Sequence, residues 1–446
     1  MERYLIHFAQ EHPSFRLQEF LSVSALLGVE ISSNSLHYSD LNPFLVVELP
    51  SRDVAVAIAN RCVLIKTIHK LLGTGTNYAE LQQSISSLPA VVMAEYSSGS
   101  FKIVVDGFNK KCSVSRQSVI LERLSYLPLH GKVDLSHPDH TFHVLEDYGG
   151  DNNKAGSEPE RVFFTVLIAQ GQRSLLQQYS VKSRVFIGNT SMDAQLAFIM
   201  ANQARVTRGQ LVCDPFVGTG GILVACAHFG AHVVGGDING QLLHGRGRPS
   251  RAGTKQKWRG GNRAHYIISC LYRTGPNESV LANLLQYGLE KCYVDVLVSD
   301  AAHTIWRSGD LFDAIITDPP YGIREGPRKV GSKRENPKPI LDEQLEDHIP
   351  SVCQYQLSDV YNDLLLFAAR FLVLHGRLVY WLPIVKEQFV IPSHPCLQLT
   401  ATSEQLLRPS IGRLLVTMVK VKPYVNPEES SQTSHIINHF RTTYFK

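Results

Sequence analysis

The sequence predicts an α/β protein in which a parallel sheet, covered by helices on both faces, follows a mixed α+β region. From about residue 180 onward, apolar strand-like runs alternate with helix-like stretches, which is the pattern of strands paired in parallel through crossover helices. Before about residue 160 the two kinds of segment are mixed without that alternation. The length of 446 residues and the content of 44% hydrophobic and 19% charged residues indicate a globular chain of two to four domains.

The first region contains short strand-like runs and several amphipathic stretches. Apolar runs predict strands over 4–8, 44–49 and 101–105, and helical periodicity predicts helices over 15–27, 52–65, 78–85 and 117–124. Residues 147–160 are rich in glycine, asparagine and acids, which indicates a surface loop within or at the edge of this region.

The second region is built from alternating elements. In chain order we expect a strand ending at 212–214, a helix over 221–229, a strand over 231–236, a helix over 278–289, strands over 294–298 and 312–317, a helix over 358–372, a strand over 378–382 and late strands near 396–401 and 413–421. Ligands of such sheets bind at the carboxyl ends of the strands.

Several classes of protein are disfavoured by composition. The longest apolar run, 364–374, is 11 residues long and contains Arg370, so we expect no membrane span. The N-terminus shows no secretory leader, which favours a cytoplasmic location and leaves the nucleus open. The eight cysteines form no CxxC pair, and His137, His140 and His143 lie on a stretch that does not present them easily to one ion, so we predict no metal site.

Positive charge is concentrated in two segments. Residues 245–263 carry seven Lys or Arg and no acid, and residues 324–338 carry six Lys or Arg and two acids. Two basic loops can form a phosphate-binding face, because Lys and Arg displace counterions from a nucleic-acid backbone. A solvated flexible loop is the alternative interpretation of each run.

A glycine-rich turn over 214–221 follows one predicted strand and precedes a helix. Gly218 and Gly220 allow the backbone to turn tightly and to approach a ligand closely after Asp214 and Phe216. The turn fits neither the dinucleotide fingerprint nor the Walker loop. It therefore indicates a small-molecule site without strong phosphate capture, unless it serves chain geometry alone.

Acids stand at the tips of two further strands. Asp237, followed by Ile238, is placed to accept hydrogen bonds from ribose hydroxyls, and Asp300, followed by Ala301, from an adenine amine. Each of these acids alone is more often a helix cap or a turn residue. Three acids at three strand tips beside one glycine-rich turn favour a nucleoside site.

The most specific motif is Asp318, Pro319, Pro320, Tyr321, Gly322, which follows a predicted strand. The two prolines stiffen the corner and donate no hydrogen bonds, which leaves the Pro319 carbonyl free as an acceptor. With the Asp318 carboxylate it suits a planar amine, whose nitrogen lone pair is delocalised into the ring that carries it. Two acceptors on the N–H groups make that nitrogen a better nucleophile, and Tyr321 can stack on the base.

Together these motifs resemble the class I S-adenosylmethionine-dependent amino-methyltransferases, whose fold is a seven-stranded Rossmann-like sheet with a reversed last strand. Segments 140–148, 186–193 and 200–204 make the chain similar to the family of catalytic subunits of eukaryotic tRNA (guanine(10)-N2)-methyltransferase, over about residues 3–420. The resemblance implies a ferredoxin-like segment plus a THUMP domain that grips tRNA over 1–175. It further implies a methyltransferase domain over 180–423, with a basic insertion at about 240–277, and a C-terminal tail over 424–446.

The resemblance also implies roles for single residues, with S-adenosyl-L-methionine as the cofactor. Asp214, Phe216, Gly218 and Gly220 would surround its methionine part. Asp237 would bind the ribose, Ile238 and Ala301 would lie on either side of the adenine ring, and Asp300 would meet the adenine amine. In the catalytic corner, Asp318, Pro319 and Tyr321 would hold guanine N2, with Arg324 near the flipped nucleotide. Residues 262–274 look like an addition to the family pattern, and they lie between the ribose acid and the adenine acid.

The predicted reaction is methyl transfer to the exocyclic N2 amine of guanosine 10 in tRNA. Family members also work with a small zinc-binding activator subunit that covers apolar surface of the methyltransferase domain. Two alternatives stay open at this point. Amino-methylation of adenine or cytosine in DNA poses the same electronic problem, and the chain could be a catalytically impaired tRNA-binding scaffold.

Overall fold

The computed structural model describes residues 1–149, 158–188, 190–243, 279–307, 309–323, 326–331, 351–386, 388–425 and 431–445. The chain divides into two compact units, Met1–Arg173 and Ser174–Lys446. Across the described residues, no helix combines the length and the apolar character needed to cross a bilayer.

The first unit is an α+β domain around one six-stranded sheet. Its strands are β1 (Glu2–Phe8), β2 (Phe44–Leu49), β3 (Ile65–Gly75), β4 (Phe101–Phe108), β5 (His140–Asp147) and β6 (Arg161–Gln170). Its helices are α1 (Pro13–Leu26), α2 (Arg52–Ala59), α3 (Tyr78–Ser86), α4 (Ala90–Ala94) and α5 (Val114–Arg123). The strand order is β2-β1-β3-β6-β5-β4, and all neighbours are antiparallel except β4 and β5.

The helix predicted over 52–65 is wrong at its C-terminal end. Helix α2 ends at Ala59, and β3 begins at Ile65. The buried carboxylate of Glu19 accepts hydrogen bonds from the backbone amides of Val63 and Leu64, at 3.0 and 2.9 Å. These bonds satisfy the two amides outside a helix and stabilise the chain as it enters the sheet.

A group of histidines lies on the sheet of the first unit. The His69 ring forms hydrogen bonds with the hydroxyls of Thr67 and Thr165, at 2.7 and 3.2 Å. The centre of the ring lies 4.8 Å from that of His143. Burial lowers the pKa of His7 to about 3 and that of His143 to about 4, and it lowers the pKa of His69 as well. All three rings are therefore neutral in the folded unit at pH 7.

These histidines should make the folded chain acid-labile. A histidine whose folded pKa lies below its unfolded value binds fewer protons in the folded state, so the free energy of unfolding decreases as pH falls below about 6.5. We expect His143→Gln to reduce the loss of thermal stability between pH 7.5 and pH 5. Thermal melts of the full chain measure this, with His137→Gln, at an exposed position of the same unit, as the control. Equal pH dependence in His143→Gln and the unmodified chain would contradict it.

The second unit contains the remaining elements. Its strands are β7 (Leu211–Asp214), β8 (His232–Asp237), β9 (Tyr293–Val298), β10 (Phe312–Thr317), β11 (Arg328–Val330), β12 (Val352–Gln354), β13 (Leu372–Val385), β14 (Leu397–Arg408) and β15 (Ile411–Lys420). Its helices are α6 (Ser174–Gln178), α7 (Ala194–Gln203), α8 (Gly221–His228), α9 (Gly240–Leu243), α10 (Val280–Gln286), α11 (Leu357–Phe371) and α12 (Phe440–Tyr444).

Seven of these strands form one sheet in the order β14-β15-β13-β10-β7-β8-β9. Strands β13, β10, β7, β8 and β9 are parallel to their neighbours in that series, and β15 is antiparallel to both β13 and β14. The reversed strand and the seven-stranded sheet confirm the predicted fold class. Because β7, β8, β9 and β10 are parallel, their carboxyl ends meet at one edge of the sheet.

The C-terminal residues pack on this second unit. Residues 431–445, part of the segment predicted as a tail, include a 3-10 helix (His435–His439) and α12. Phe440 is buried in the hydrophobic core, and the half-buried Ile437 and Tyr444 pack beside it. Their spacing of three and four residues places the three apolar side chains on one face of a helical segment.

Candidate active site

The glycine-rich turn leaves the sheet where β7 ends. The carboxyl of Asp214 is buried, and it accepts hydrogen bonds from the Thr317 hydroxyl at 2.6 Å and from the Phe216 amide at 3.0 Å. Gly218 and Gly220 both have a positive φ, at 50° and 76°, a backbone conformation that is strained for residues other than glycine. A methyl group added at Gly218 would meet nothing within 4 Å, so this part of the turn borders open space.

The turn is joined to the end of β8. The Gly218 amide donates to Oδ2 of Asp237 at 2.9 Å, and the Asn239 amide donates to Oδ1 of Asp237 at 2.8 Å. Each carboxylate oxygen has room for about two hydrogen bonds, so Asp237 can still accept from further donors. Ile238, the next residue, is half-buried.

Three acids give this edge of the sheet a negative character. Burial raises the pKa of Asp214 to about 7, and the charges of Asp237 and Asp318 add to that rise. Burial raises the pKa of Asp318 to about 6, and it also raises the pKa of Asp237. A positively charged ligand would relieve the repulsion among these carboxylates.

The end of β9 supplies the next acid. Asp300 is buried, and its Oδ1 accepts from the Ala302 amide at 3.0 Å. Its Oδ2 accepts from the Val330 amide of β11 at 2.7 Å and is 3.0 Å from Nδ1 of His303. Hence Oδ1 is the oxygen of Asp300 with capacity left for a ligand.

A depression with about 280 Å³ of empty space opens beside Asp300. Its lining includes residues from the ends of β7, β8 and β9, namely Pro215, Gly236, Ser299, Asp300 and Ala301, together with the loop after β9 and one side chain of α11. The structure therefore brings two of the three predicted adenine-side residues, Asp300 and Ala301, to this depression at the same edge as the glycine-rich turn.

The stiff corner follows β10 at this edge. Asp318 accepts from Nη1 of Arg413 through Oδ2 at 3.4 Å, whereas Oδ1 is buried and has no hydrogen-bond partner in the described part of the chain. The same Arg413 nitrogen donates to the Tyr321 hydroxyl at 2.9 Å. Between Asp318 and Tyr321 in the sequence stand Pro319, which is buried, and Pro320, which is half-buried. A buried oxygen without a donor is an acceptor prepared for a ligand.

Sequence reasoning missed Arg413 as a site residue. It lies on β15, where its Nε donates to Gln405 Oε1 at 2.8 Å and its guanidinium lies 3.9 Å from the centre of the Trp381 ring. These contacts hold the guanidinium between the corner and the sheet. No local motif marks the residue, because its role depends on the pairing of β15 with β13.

A second missed group supports the glycine-rich turn. The buried Asn283 side chain of α10 donates to the carbonyl oxygens of Phe186 and Thr219, at 2.8 and 2.9 Å, and accepts from the Phe186 amide at 2.9 Å. Ser191 exchanges a hydrogen bond of 2.8 Å with the Thr219 hydroxyl. The segment around 186–191, noted in the sequence only for its resemblance, is thus bonded directly to the turn.

Some predicted features lie outside the described residues. These are Arg324, the basic run 245–263, the apparent addition 262–274 and most of the basic run 324–338. Within the described ranges, no group of three or more His, Cys, Asp or Glu side chains is arranged to hold a metal ion.

Comparison with known proteins gives matches over the whole chain. A family profile described as "Tmrp11 THUMP N-terminal domain" matches residues 2–173, and one described as "RMKL-like, methyltransferase domain" matches residues 182–335. The tRNA (guanine(10)-N(2))-methyltransferase TRMT11 of Homo sapiens is 45% identical over 459 residues, covering 100% of this chain and 95% of the relative. The protein of the same name from Dictyostelium discoideum is 34% identical over 452 residues, covering 95% and 83%. Among solved structures, TrmN from Thermus thermophilus aligns with 16% identity and a TM-score of 0.42, over 94% of this chain and 100% of that one.

Proposed function

The chain belongs to the family of tRNA (guanine(10)-N(2))-methyltransferases, and from that premise we propose that it transfers a methyl group from S-adenosyl-L-methionine to the exocyclic N2 amine of guanosine 10 in tRNA. The observation that carries the proposal is the buried Oδ1 of Asp318, which lacks a donor among the described residues and lies in a stiff corner at the carboxyl edge of the sheet. An amine N–H is the donor that this oxygen lacks.

The residues at the edge of the sheet fit the cofactor. The three acids favour a ligand with a positive charge, and S-adenosyl-L-methionine, when bound, supplies an electrophilic methyl group on a positively charged sulfur. Asp237 would take the ribose hydroxyls and Asp300 Oδ1 the adenine amine, with Ile238 and Ala301 on either side of the base. The open space beside Gly218 leaves room for the methionine part, bordered by Asp214, Phe216 and Gly220.

The corner would act on the guanine amine through its acceptors. When Asp318 is ionised, its Oδ1 accepts a hydrogen bond from the amine and so increases the electron density on nitrogen. The Pro319 carbonyl is the second acceptor, and Tyr321 stacks on the base. Arg413 keeps Asp318 and the Tyr321 hydroxyl in one arrangement, because one guanidinium nitrogen donates to both. After transfer, Asp318 or water receives the proton that leaves nitrogen.

The pH dependence of methyl transfer should report the pair of Asp318 and Arg413. Burial raises the pKa of Asp318 to about 6 and Arg413 opposes that rise, so activity increases with pH through this range as the carboxyl ionises. We expect Arg413→Gln to move this acid limb to higher pH by about one unit and to lower the plateau. Initial rates between pH 5 and 9 measure the shift.

The control for this prediction is Gln405→Ala, which removes the Nε partner of Arg413 but keeps the positive charge. Its acid limb should move less than that of Arg413→Gln. If Arg413→Gln keeps the acid limb of the unmodified enzyme, Arg413 does not stabilise the ionised form of Asp318.

Mass-spectrometric analysis of nucleosides tests the proposed function. Transfer RNA incubated with the full chain and cofactor should contain N2-methylguanosine at position 10, and a tRNA with adenosine at that position should not. The same assay with duplex DNA distinguishes an adenine or cytosine methyltransferase. Binding of tRNA without any methylated product would instead indicate the scaffold alternative.

The partner and the location are part of the same proposal. The THUMP domain would grip the tRNA. A small zinc-binding activator subunit would cover apolar surface of the methyltransferase domain, where Val294 and Val298 on the edge strand β9 are 53% and 50% exposed. Size-exclusion chromatography of the two proteins mixed together checks this association, and cell fractionation checks the expected cytoplasmic location.

A further inference from the structure

The C-terminal residues lie against the catalytic corner of the second unit. The Asn438 side chain accepts from the Ser358 amide at 2.9 Å and donates to the Ser358 hydroxyl and to Gln356 Oε1, at 3.1 and 3.2 Å. A two-way backbone bridge joins Ser393 and Gln432, at 3.0 and 2.8 Å. Side-chain and backbone bonds at separate points thus hold residues 431–445 in one position.

Two consecutive residues of α12 contact the motif itself. The ring of the buried Phe440 lies edge-on to the Tyr321 ring, with centres 6.2 Å apart and planes at 85°. The side chain of Arg441 lies beside Gly322, where an added methyl group would be 3.3 Å from its Cδ. Gly322 has a φ of 88°, so the backbone turns sharply at the residue that lies beside Arg441.

The charge of Arg441 is available to a ligand. The residue is exposed, and no acidic side chain within the described ranges lies within ion-pairing distance of its guanidinium. Arg408, also exposed, lies near the same helix, since it donates to the Tyr444 carbonyl at 2.5 Å and its guanidinium is 4.3 Å from the Tyr444 ring centre. Arg408 precedes Ile411, which pairs with Val385 at the carboxyl end of β13. Both arginines therefore lie at the edge of the sheet where Asp318 lies.

We propose that residues 431–445 form part of the RNA-binding surface at the active site, and that Arg441 binds a backbone phosphate next to the target guanosine. The inference rests on the proposed function and adds to it the contact that this segment makes. A base that reaches Asp318 must bring its own sugar and phosphates past the rim of the corner. An exposed guanidinium on that rim matches a phosphate in charge and in bidentate geometry.

The test is steady-state methylation of tRNA by the full chain at several salt concentrations, with Arg441→Gln, Arg441→Lys and Arg370→Gln. Arg370 lies on α11 next to the start of β13, at the opposite edge of the same sheet, so its replacement makes the same charge change away from the site. We expect Arg441→Gln to raise the KM for tRNA about tenfold. It should also reduce the slope of log KM against the logarithm of the salt concentration by about one, because one phosphate contact is lost.

The other measurements separate binding from structure. Cofactor affinity by calorimetry and the melting temperature of Arg441→Gln should equal those of the unmodified chain, because the side chain is exposed. Arg441→Lys should keep the salt dependence, and Arg370→Gln should change neither quantity. The inference is overturned if Arg441→Gln has the KM and salt dependence of the unmodified chain, or if Arg370→Gln loses as much. Failure of the unmodified chain to methylate tRNA would overturn the proposed function instead.

Discussion

Replacement of Asp318 by alanine should lower the rate of methyl transfer by a factor on the order of 10² to 10³ while cofactor affinity changes little. The hydrogen bond from the amine to this carboxylate strengthens as positive charge develops on nitrogen, and a positioned acceptor or base contributes about 10²- to 10⁴-fold. Rapid-mixing measurements of a single turnover on tRNA give the rate, and calorimetry gives the affinity. Near-normal turnover in Asp318→Ala would remove the residue from the mechanism.

Two further variants make this result specific. Asp313→Ala makes the same change at the other end of the same strand, where the carboxylate accepts from the Leu211 amide at 2.8 Å. It should lower the melting temperature, whereas the rate per folded molecule should fall much less than in Asp318→Ala. Asp318→Asn keeps the shape and one acceptor oxygen, so its rate should lie between those of the alanine variant and the unmodified enzyme.

Replacement of Asp237 by alanine should weaken cofactor binding by a factor on the order of 10² to 10⁴. Two charge-assisted hydrogen bonds to ribose hydroxyls contribute about 1.5 to 3 kcal/mol each, and about 1.4 kcal/mol corresponds to one power of ten. The variant also removes the acceptor of the Gly218 amide, which loosens the glycine-rich turn. Calorimetric titration with S-adenosyl-L-methionine or its demethylated product measures the loss.

Asp295→Ala is the matched control for the ribose acid. It lies on the neighbouring strand β9, where its carboxylate accepts from the Val296 amide at 2.9 Å and stays within the strand. Its cofactor affinity should be that of the unmodified chain. Equal affinities in Asp237→Ala and the unmodified chain would show that the ribose is held elsewhere.

The fold of the second unit was predictable because short stretches of sequence mark each of its strands, turns and helices. Each βα unit has an apolar strand followed by a helix, and each strand ends at a turn with its own chemistry, such as Asp214 before Gly218. Periodicity failed where strands are buried on both faces. Residues 162–166 of β6 are buried in succession, so no alternation of apolar and polar residues marks the strand.

Within the candidate site, the strand-tip residues were predictable and their supports were not. Asp237 and Asp318 each follow an apolar strand, which places them at one edge once the sheet is parallel. Arg413 reaches Asp318 across 95 positions of sequence, and only the register of β15 with β13 brings it there. Asn283 is one amide within an apolar helix, where sequence does not distinguish a structural bond from a solvent-exposed side chain.

The order of these residues along the chain has a consequence for synthesis. The residues proposed to hold the cofactor, from Asp214 to Ala301, leave the ribosome well before Arg413 and Phe440, which hold the side chains of the corner. A nascent chain that ends before β15 has the acids of the pocket without the guanidinium that orients Asp318. Competence to modify RNA should therefore arise late in synthesis, once β15 has inserted between β13 and β14.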